Sequence, residues 1–352
     1  MNKKDRILFF GELPVDSFHG ISIANQINLK MLESVFDIDI INEETILKSH
    51  NKVSLSKIGS LLICLFIISY KSLIHRYIYF YMVFSTSFFG SIKTLFAIIA
   101  FRLFNRGKVV LHIHRGDFFS RFYLSKYKRL LADVIFYLSK KNIVLSETQK
   151  NEFEKHFHKS FFVLSNTIEI EMDSALIPRT NINFIFISNY FVDKGIVDLL
   201  IVFEKIVKKY KHVTLNTYGE FADRKLRTTV YGFKSANIVI NGPIKGKDKF
   251  VTMANSSGLI LPSWNEGQPL VLLEAMSVGT PVIASKVGLI PEILGEDYPF
   301  MTTPADRNSL EAAILEFLNC KSLESISNQL KSRYNAEYSQ KRHCEQLFRI
   351  FL

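Results

Sequence analysis

The chain is 352 residues long, 48% hydrophobic, with a formal net charge of +11. That length and apolar content allow two buried cores and two domains, and with no repeats and no low-complexity stretch they exclude a disordered chain. The three cysteines, Cys64, Cys320 and Cys344, are scattered, with no C-x-x-C pair and no metal-ligand spacing; this excludes a disulfide framework and fits reduced thiols in a cytoplasmic protein.

The amino terminus leads directly into an apolar strand, Ile7-Leu8-Phe9-Phe10, so no secretory signal is expected. Gly11 to Gly20 reads as a loop, and a helix is expected from about Ile21 to Glu33. Between Glu44 and Asp117 there is no acidic residue, while Lys52, Lys57, Lys71, Arg76, Lys93, Arg102 and Arg106 recur. The patterning predicts a basic amphipathic helix over Ser54–Leu73, a buried strand over Tyr77–Val83 and a helix over Ser87–Phe104. The uncharged run Tyr77–Ile92 is sixteen residues, short of the roughly 18 of a spanning helix. Core packing explains its aromatic residues, yet Phe, Ile and Leu interleaved with cations also suit a surface that lies on anionic lipid. Ser120–Lys141 adds Arg121, Lys126, Lys128, Arg129, Lys140 and Lys141, which makes region 48–141 the candidate membrane-facing part. The same interleaving with aliphatic runs argues against nucleic acid as a partner.

Val109 to His114 reads as a strand with His112 and His114 on one face. A lone histidine there is more often a satisfied core residue than a functional one. Further strand ends fall at Ile143–Glu147 and Val163–Asn166, and the apolar pattern breaks over Glu169–Asn183, where a domain boundary is expected. Phe184–Ser188 is a short strand, after which Val192-Asp193-Lys194-Gly195 opens a helix expected to run from Ile196 to Tyr210. A lysine at a helix start opposes the dipole, so Lys194 points to an anionic ligand.

The densest chemistry lies in PSWNEGQPLVLLEAMSVGTPVIAS, residues 262–285. The run Gly258–Leu261 reads as a buried strand and Ser263–Gly267 as a turn. Pro269 is placed at the first helical position of Leu270–Val278, which Gly279 and Pro281 close. Val282-Ile283-Ala284 follows as the next strand, giving a βαβ unit whose strand ends and helix N-terminus suit an anion. Glu266 in the loop and Glu274 in the helix could be an acid and base pair, a solvated loop acid with a dipole-complementing helix acid, or two carboxylates that hold different parts of one ligand by its vicinal diols.

The run E-G-Q-P-L-V-L-L-E, followed by A-M-S-V-G-T-P-V-I-A-S and V-G-L-I-P-E-I, resembles the signature of retaining, nucleotide-sugar-dependent glycosyltransferases of the GT-B fold, family 4 type (glycosyl transferases group 1). The resemblance implies an α/β chain of two Rossmann-like domains facing an interdomain cleft. An acceptor domain over 1–172 and a nucleotide-sugar domain over 173–335 would be followed by a terminal helix, 336–352, packing back on the first. It implies that Glu266, with Gly267 and Gln268, faces the transferred sugar, that Glu274 holds the ribose, and that Pro269 and Leu270 complete the donor loop. Lys194 matches the lysine on the donor diphosphate, while Asn189 stands where the family has an arginine as second clamp. Gly20 matches the Gly-rich loop of the first domain, His114 the histidine that faces the reacting sugar, and Thr167 replaces a glycine. The implied partners are a nucleotide-sugar donor and a glycan or lipid-linked acceptor in cell-surface polysaccharide or lipopolysaccharide synthesis, on the inner face of the membrane. No cofactor, no bound metal and no Asp-x-Asp site are expected. The departures at Asn189 and Thr167 motivate the alternative of a GT-B subunit without turnover that binds glycan or supports a partner.

Overall fold

The computed structural model describes residues 4–15, 20–46, 55–171 and 182–352. Phe18, His19, Lys52 and the centre of the expected boundary over Glu169–Asn183 lie outside those residues. The chain divides into two compact units, the first made of Met1–Thr167 with Gln340–Leu352, the second of Ile168–Ser339.

In the first unit strands and helices alternate: β1 (Arg6–Gly11), α1 (Gly20–Leu32), β2 (Asp37–Asn42), α2 (Glu43–Ile46), α3 (Leu55–Ile74), β3 (Tyr79–Val83), α4 (Phe88–Phe104), β4 (Lys108–His112), α5 (Lys126–Leu138), β5 (Lys141–Val144), α6 (Glu147–Phe157) and β6 (Phe162–Val163). The strands pair in parallel in the order β2-β1-β3-β4-β5-β6, so the chain reverses direction between β1 and β3. Strands covered on both faces need no polar alternation, and Ile7 to Phe10 are accordingly all buried. Each such side chain contributes about 1.5–3 kcal/mol relative to exposure. The strand is two residues shorter than the expected Tyr77–Val83, although the Ile78 amide still donates to the Arg6 carbonyl at 2.9 Å. Helix α4 starts one residue after the expected Ser87, whose hydroxyl caps it by accepting from the Gly90 amide at 3.0 Å.

The second unit repeats the alternation with β7 (Asn183–Ile187), α7 (Ile196–Lys209), β8 (Thr214–Tyr218), α8 (Arg224–Tyr231), β9 (Ile238–Asn241), α9 (Gly246–Ala254), β10 (Gly258–Leu261), α10 (Leu270–Val278), β11 (Val282–Ser285), α11 (Ile290–Leu294), β12 (Met301–Thr302), α12 (Arg307–Asn319) and α13 (Leu323–Arg333). Its parallel sheet runs β12-β11-β10-β7-β8-β9, and its reversal falls between β7 and β10. Pro269 is the N-cap of α10, with extended backbone, and Leu270 takes the first helical position expected of the proline. After a wide turn at Tyr334–Tyr338, the last helix, α14 (Gln340–Phe351), joins the first unit and places Leu347, Ile350 and Phe351 among Ile7, Phe9, Leu29 and Val110.

Candidate functional site

The loops at the carboxyl ends of β7 and β10 flank the reversal of the second sheet, the place where parallel sheets open a crevice. Lys194 ends a single 3-10 turn, Val192–Lys194, just before α7. Its Nζ lies 2.7 Å from Glu266 Oε1, to which Ser263 also donates at 2.7 Å. The Glu266 side chain is 9% exposed and that of Lys194 25%, so this is a largely buried ion pair with the carboxylate oriented from two sides. Two glycines allow the approach. A Cβ on Gly195, at φ +74°, would meet the Pro262 carbonyl oxygen at 2.1 Å, and one on Gly288, at φ +56°, would meet that of Glu266 at 2.0 Å. The V-G-L turn is thereby laid against the E-G loop, where Leu289 donates its amide to the Gly267 carbonyl at 3.0 Å.

Trp264 braces the same loop from outside: its amide donates to Asp193 O at 2.7 Å and its indole to Asp198 Oδ2 at 3.2 Å, while Arg307 holds Asp198 Oδ1 at 2.6 Å. One turn into α10, Glu274 is paired with Lys249 of α9, Nζ to Oε2 2.5 Å, with the carboxylate side chain 12% exposed. Lys249 went unnoticed in the sequence because it lies 25 positions before Glu274 in an ordinary helical run. Gln268, Pro269 and Leu270 are buried at the start of α10. Asn189 sits just past β7, where its side-chain oxygen accepts from the Glu220 amide at 3.4 Å. The second unit thus brings together Glu266, Gly267, Gln268, Lys194 and, one turn on, Glu274.

In the first unit Gly20 opens α1, one residue earlier than expected. His114 lies two residues past the end of β4 and is buried, as is His112, and their ring centroids are 3.9 Å apart. Among the described residues neither nitrogen of His114 has a hydrogen-bond partner, nor has Nε2 of His112. Burial, followed by the nearby His343, pushes His114 down to about 3, and burial also holds His112 well below the usual histidine range, so both rings are neutral at pH 7. Neither is the fully satisfied core histidine that a lone His in a strand most often is.

The aromatic run from Tyr77 through Phe84 is buried apart from half-buried Ile78 and Val83, in accord with core packing. The outer apolar surface lies on the helices instead. Helix α3 packs on α4 and α4 on α5, and each turns a stripe outward: Leu62, Phe66, Tyr70 and Leu73; Phe89, Phe96 and Leu103; Tyr127, Leu130, Val134 and Tyr137, between 39% and 80% exposed. Spacings of three, four or seven keep each stripe on one helix face. Of the cations expected to line this region, Lys71 pairs with Asp39 and Lys93 with Glu43, while Lys128 and Arg129 lie over Phe122 and Tyr123. Arg76, Arg102, Arg106, Lys126 and Lys140 are exposed. No helix among the described residues is long and apolar enough to cross a membrane.

Among the described residues no group of three or more His, Cys, Asp or Glu could hold a metal ion. Asp37-Ile38-Asp39 on β2 is an Asp-x-Asp sequence, which corrects the expectation that the chain has none. Its second carboxylate accepts from Tyr77 at 2.6 Å and from Lys71 at 3.1 Å, so it is already engaged within the fold.

Residues 181–320 match the family model described as glycosyl transferases group 1. An uncharacterized glycosyltransferase of Methanocaldococcus jannaschii is 27% identical over 207 residues, 57% of this chain and 56% of that protein. The chain spans about half the length of the curated relatives it matches. Among solved structures, sucrose-phosphate synthase from Thermosynechococcus elongatus superposes with a TM-score of 0.79 at 15% identity, covering 99% of this chain and 98% of that one. Anabaena HepE, solved in complex with UDP-glucose, gives 0.73 at 16% identity, covering 98% and 99%. At these identities the structural likenesses establish the fold.

Proposed function

We propose, from the premise that this chain is a group 1 glycosyltransferase of the GT-B fold, that it moves a hexose from a nucleotide-sugar donor to a hydroxyl of a glycan or lipid-linked acceptor with retention at the anomeric carbon. The observation that carries the reading is the Lys194–Glu266 pair at the sheet reversal. Glu266 is oriented to accept from sugar hydroxyls, and Lys194 is placed to offset charge on the departing diphosphate. Glu274, paired with Lys249, accepts from the two ribose hydroxyls. Gly267 and Gln268 line the sugar side, with Pro269 and Leu270 behind them, and the family resemblance assigns His114 to a sugar hydroxyl.

No side chain stands out as a dedicated base. The departing phosphate oxygen takes the acceptor's proton while the acceptor oxygen bonds to the anomeric carbon on the face the phosphate leaves, which gives retention without a metal or cofactor. Asn189 supplies hydrogen bonding but no charge where the family has a second cation, so Lys194 carries the diphosphate largely alone. The three apolar stripes, with exposed cations and no acidic residue from 45 to 116, fit docking on an anionic membrane surface on the cytoplasmic side, where lipid-linked acceptors for surface polysaccharide lie.

The test is a hydrolysis and transfer screen with a panel of nucleotide sugars, alongside titration with UDP, GDP and ADP. Binding of one diphosphate and turnover of one of its sugars is the expected result. Absence of binding to all three overturns it and leaves a non-catalytic GT-B partner. Flotation with phosphatidylglycerol vesicles but not with neutral ones is the outcome expected for the membrane face.

A further inference from the structure

The rings of His112 and His114, three of whose four nitrogens have no hydrogen-bond partner among the described residues, are the end of a buried polar chain that the family signature does not touch. His343 of α14 meets the Ser165 carbonyl with Nδ1 at 2.7 Å and Asn28 Oδ1 with Nε2 at 2.6 Å. Asn28 of α1 reaches the Tyr81 hydroxyl at 3.0 Å, and that hydroxyl lies 2.9 Å from His112 Nδ1. All five side chains from His343 to His114 are at most 6% exposed, and they come from α14, α1, β3, β4 and the segment after β4.

We infer that His343 is a positioning residue for sugar transfer: through Asn28 and Tyr81 it fixes which nitrogen of His112 carries the proton, and hence what the His112–His114 pair presents to a ligand hydroxyl. This rests on the proposed glycosyl transfer only for the identity of that ligand.

Donor bookkeeping carries the inference. The Ser165 carbonyl can only accept, so His343 Nδ1 carries a hydrogen. With Asn28 Oδ1 facing Nε2, that nitrogen must be protonated too, and His343 is a cation; Asn28 then donates to Tyr81, Tyr81 donates to His112 Nδ1, and the His112 proton sits on Nε2. With the Asn28 amide turned over, a neutral His343 accepts from Asn28, Tyr81 donates to Asn28, His112 Nδ1 donates to Tyr81, and Nε2 is left bare. Any mixture of the two leaves a buried donor or acceptor without a partner, which costs about 1–3 kcal/mol. Burial pushes His343 down to about 4, so the neutral arrangement holds at pH 7. His112 then offers an acceptor beside His114, which has one donor and one acceptor nitrogen. A hydroxyl, both donor and acceptor, complements that pair, and a cation or carboxylate does not.

The test uses the full chain labelled with 15N-histidine, in which long-range spectra report the protonated nitrogen of each ring, together with transfer kinetics. The wild type is expected to show His112 as a single Nδ1–H tautomer. Tyr81→Phe, which preserves the ring packing, is expected to mix the His112 tautomers and lower kcat roughly 10–100-fold, the loss usual when the partner that orients a histidine is removed. Nucleoside diphosphate affinity should stay unchanged. His343→Ala is expected to do the same, with recovery in His343→Gln, which keeps one donor and one acceptor. An unaltered His112 tautomer in both Tyr81→Phe and His343→Ala overturns the inference, as does a mixed tautomer with unaltered kcat. Should the wild type turn over no nucleotide sugar, the glycosyl-transfer reading fails on that ground, while the tautomer spectra still decide whether the chain acts on His112.

Discussion

The two units use one scaffold, a six-stranded parallel sheet reversing beside its first strand, to build strand-end sites of opposite electrical character. In the second unit the ends of β7 and β10 bring full charges together, Lys194 against Glu266 and, one turn on, Lys249 against Glu274. In the first, the end of β4 carries two neutral, buried imidazoles wired to a tyrosine, an amide and a third imidazole, with no fixed charge in the line. Under the proposed function the contrast fits a diphosphate whose charge is met by Lys194 and a ligand hydroxyl read at the histidines by the direction of hydrogen bonds.

The difference can be broken experimentally, and the largest effect should come from the charged side. Lys194→Ala leaves the Glu266 carboxylate with Ser263 as its remaining described partner and, under the proposed function, removes the cation that meets the diphosphate. A loss of roughly 10²–10³-fold in kcat is expected, as when one preorganised electrostatic contact is removed, and a steady-state assay reads it. The neutral side should appear in stability. Because an unfolded histidine titrates near 6.5, the unfolded chain takes up protons below that pH that native His343, held down to about 4, does not. Stability therefore rises with pH across this window and falls on acidification from about 6.5 to about 4, by about 3 kcal/mol for His343 alone. Urea titrations along that range should show the slope, flatter in His343→Gln. Third, under the proposed function Glu274→Gln should weaken nucleoside diphosphate binding about tenfold in calorimetry, by removing the charge that faces Lys249 and giving the ribose a poorer acceptor. The smallest effect belongs to the outer face: Leu130→Glu should abolish flotation with anionic vesicles while changing folding stability by no more than about 0.5 kcal/mol, since this side chain is 65% exposed.

Legibility followed the same divide. Glu266, Gly267 and Glu274 stand close together in the chain, and their site could be read because one βαβ unit carries it. Gly195 and Gly288 were visible as residues, but their role depends on carbonyls of Pro262 and Glu266 that only the fold brings against them. The polar chain behind His114 was not readable at all: His343 and Asn28 are 315 positions apart and Tyr81 is 53 from Asn28, and nothing in local patterning marks an asparagine on a buried helix face. The outward stripe of α5 was missed for a different reason. Its leucine, valine and tyrosines alternate with lysines and arginine, and periodicity alone does not say which side of such a helix faces the sheet.

The return of α14 to the first unit has a consequence for biogenesis. Leu347, Ile350 and Phe351 complete the cluster around Ile7 and Phe9, so a ribosome must translate the entire second unit before the first can close its core. This departs from the usual vectorial order, in which the amino-terminal domain finishes first. A nascent chain halted anywhere before residue 340 lacks Leu347, Ile350 and Phe351 of that cluster, and His343 with them.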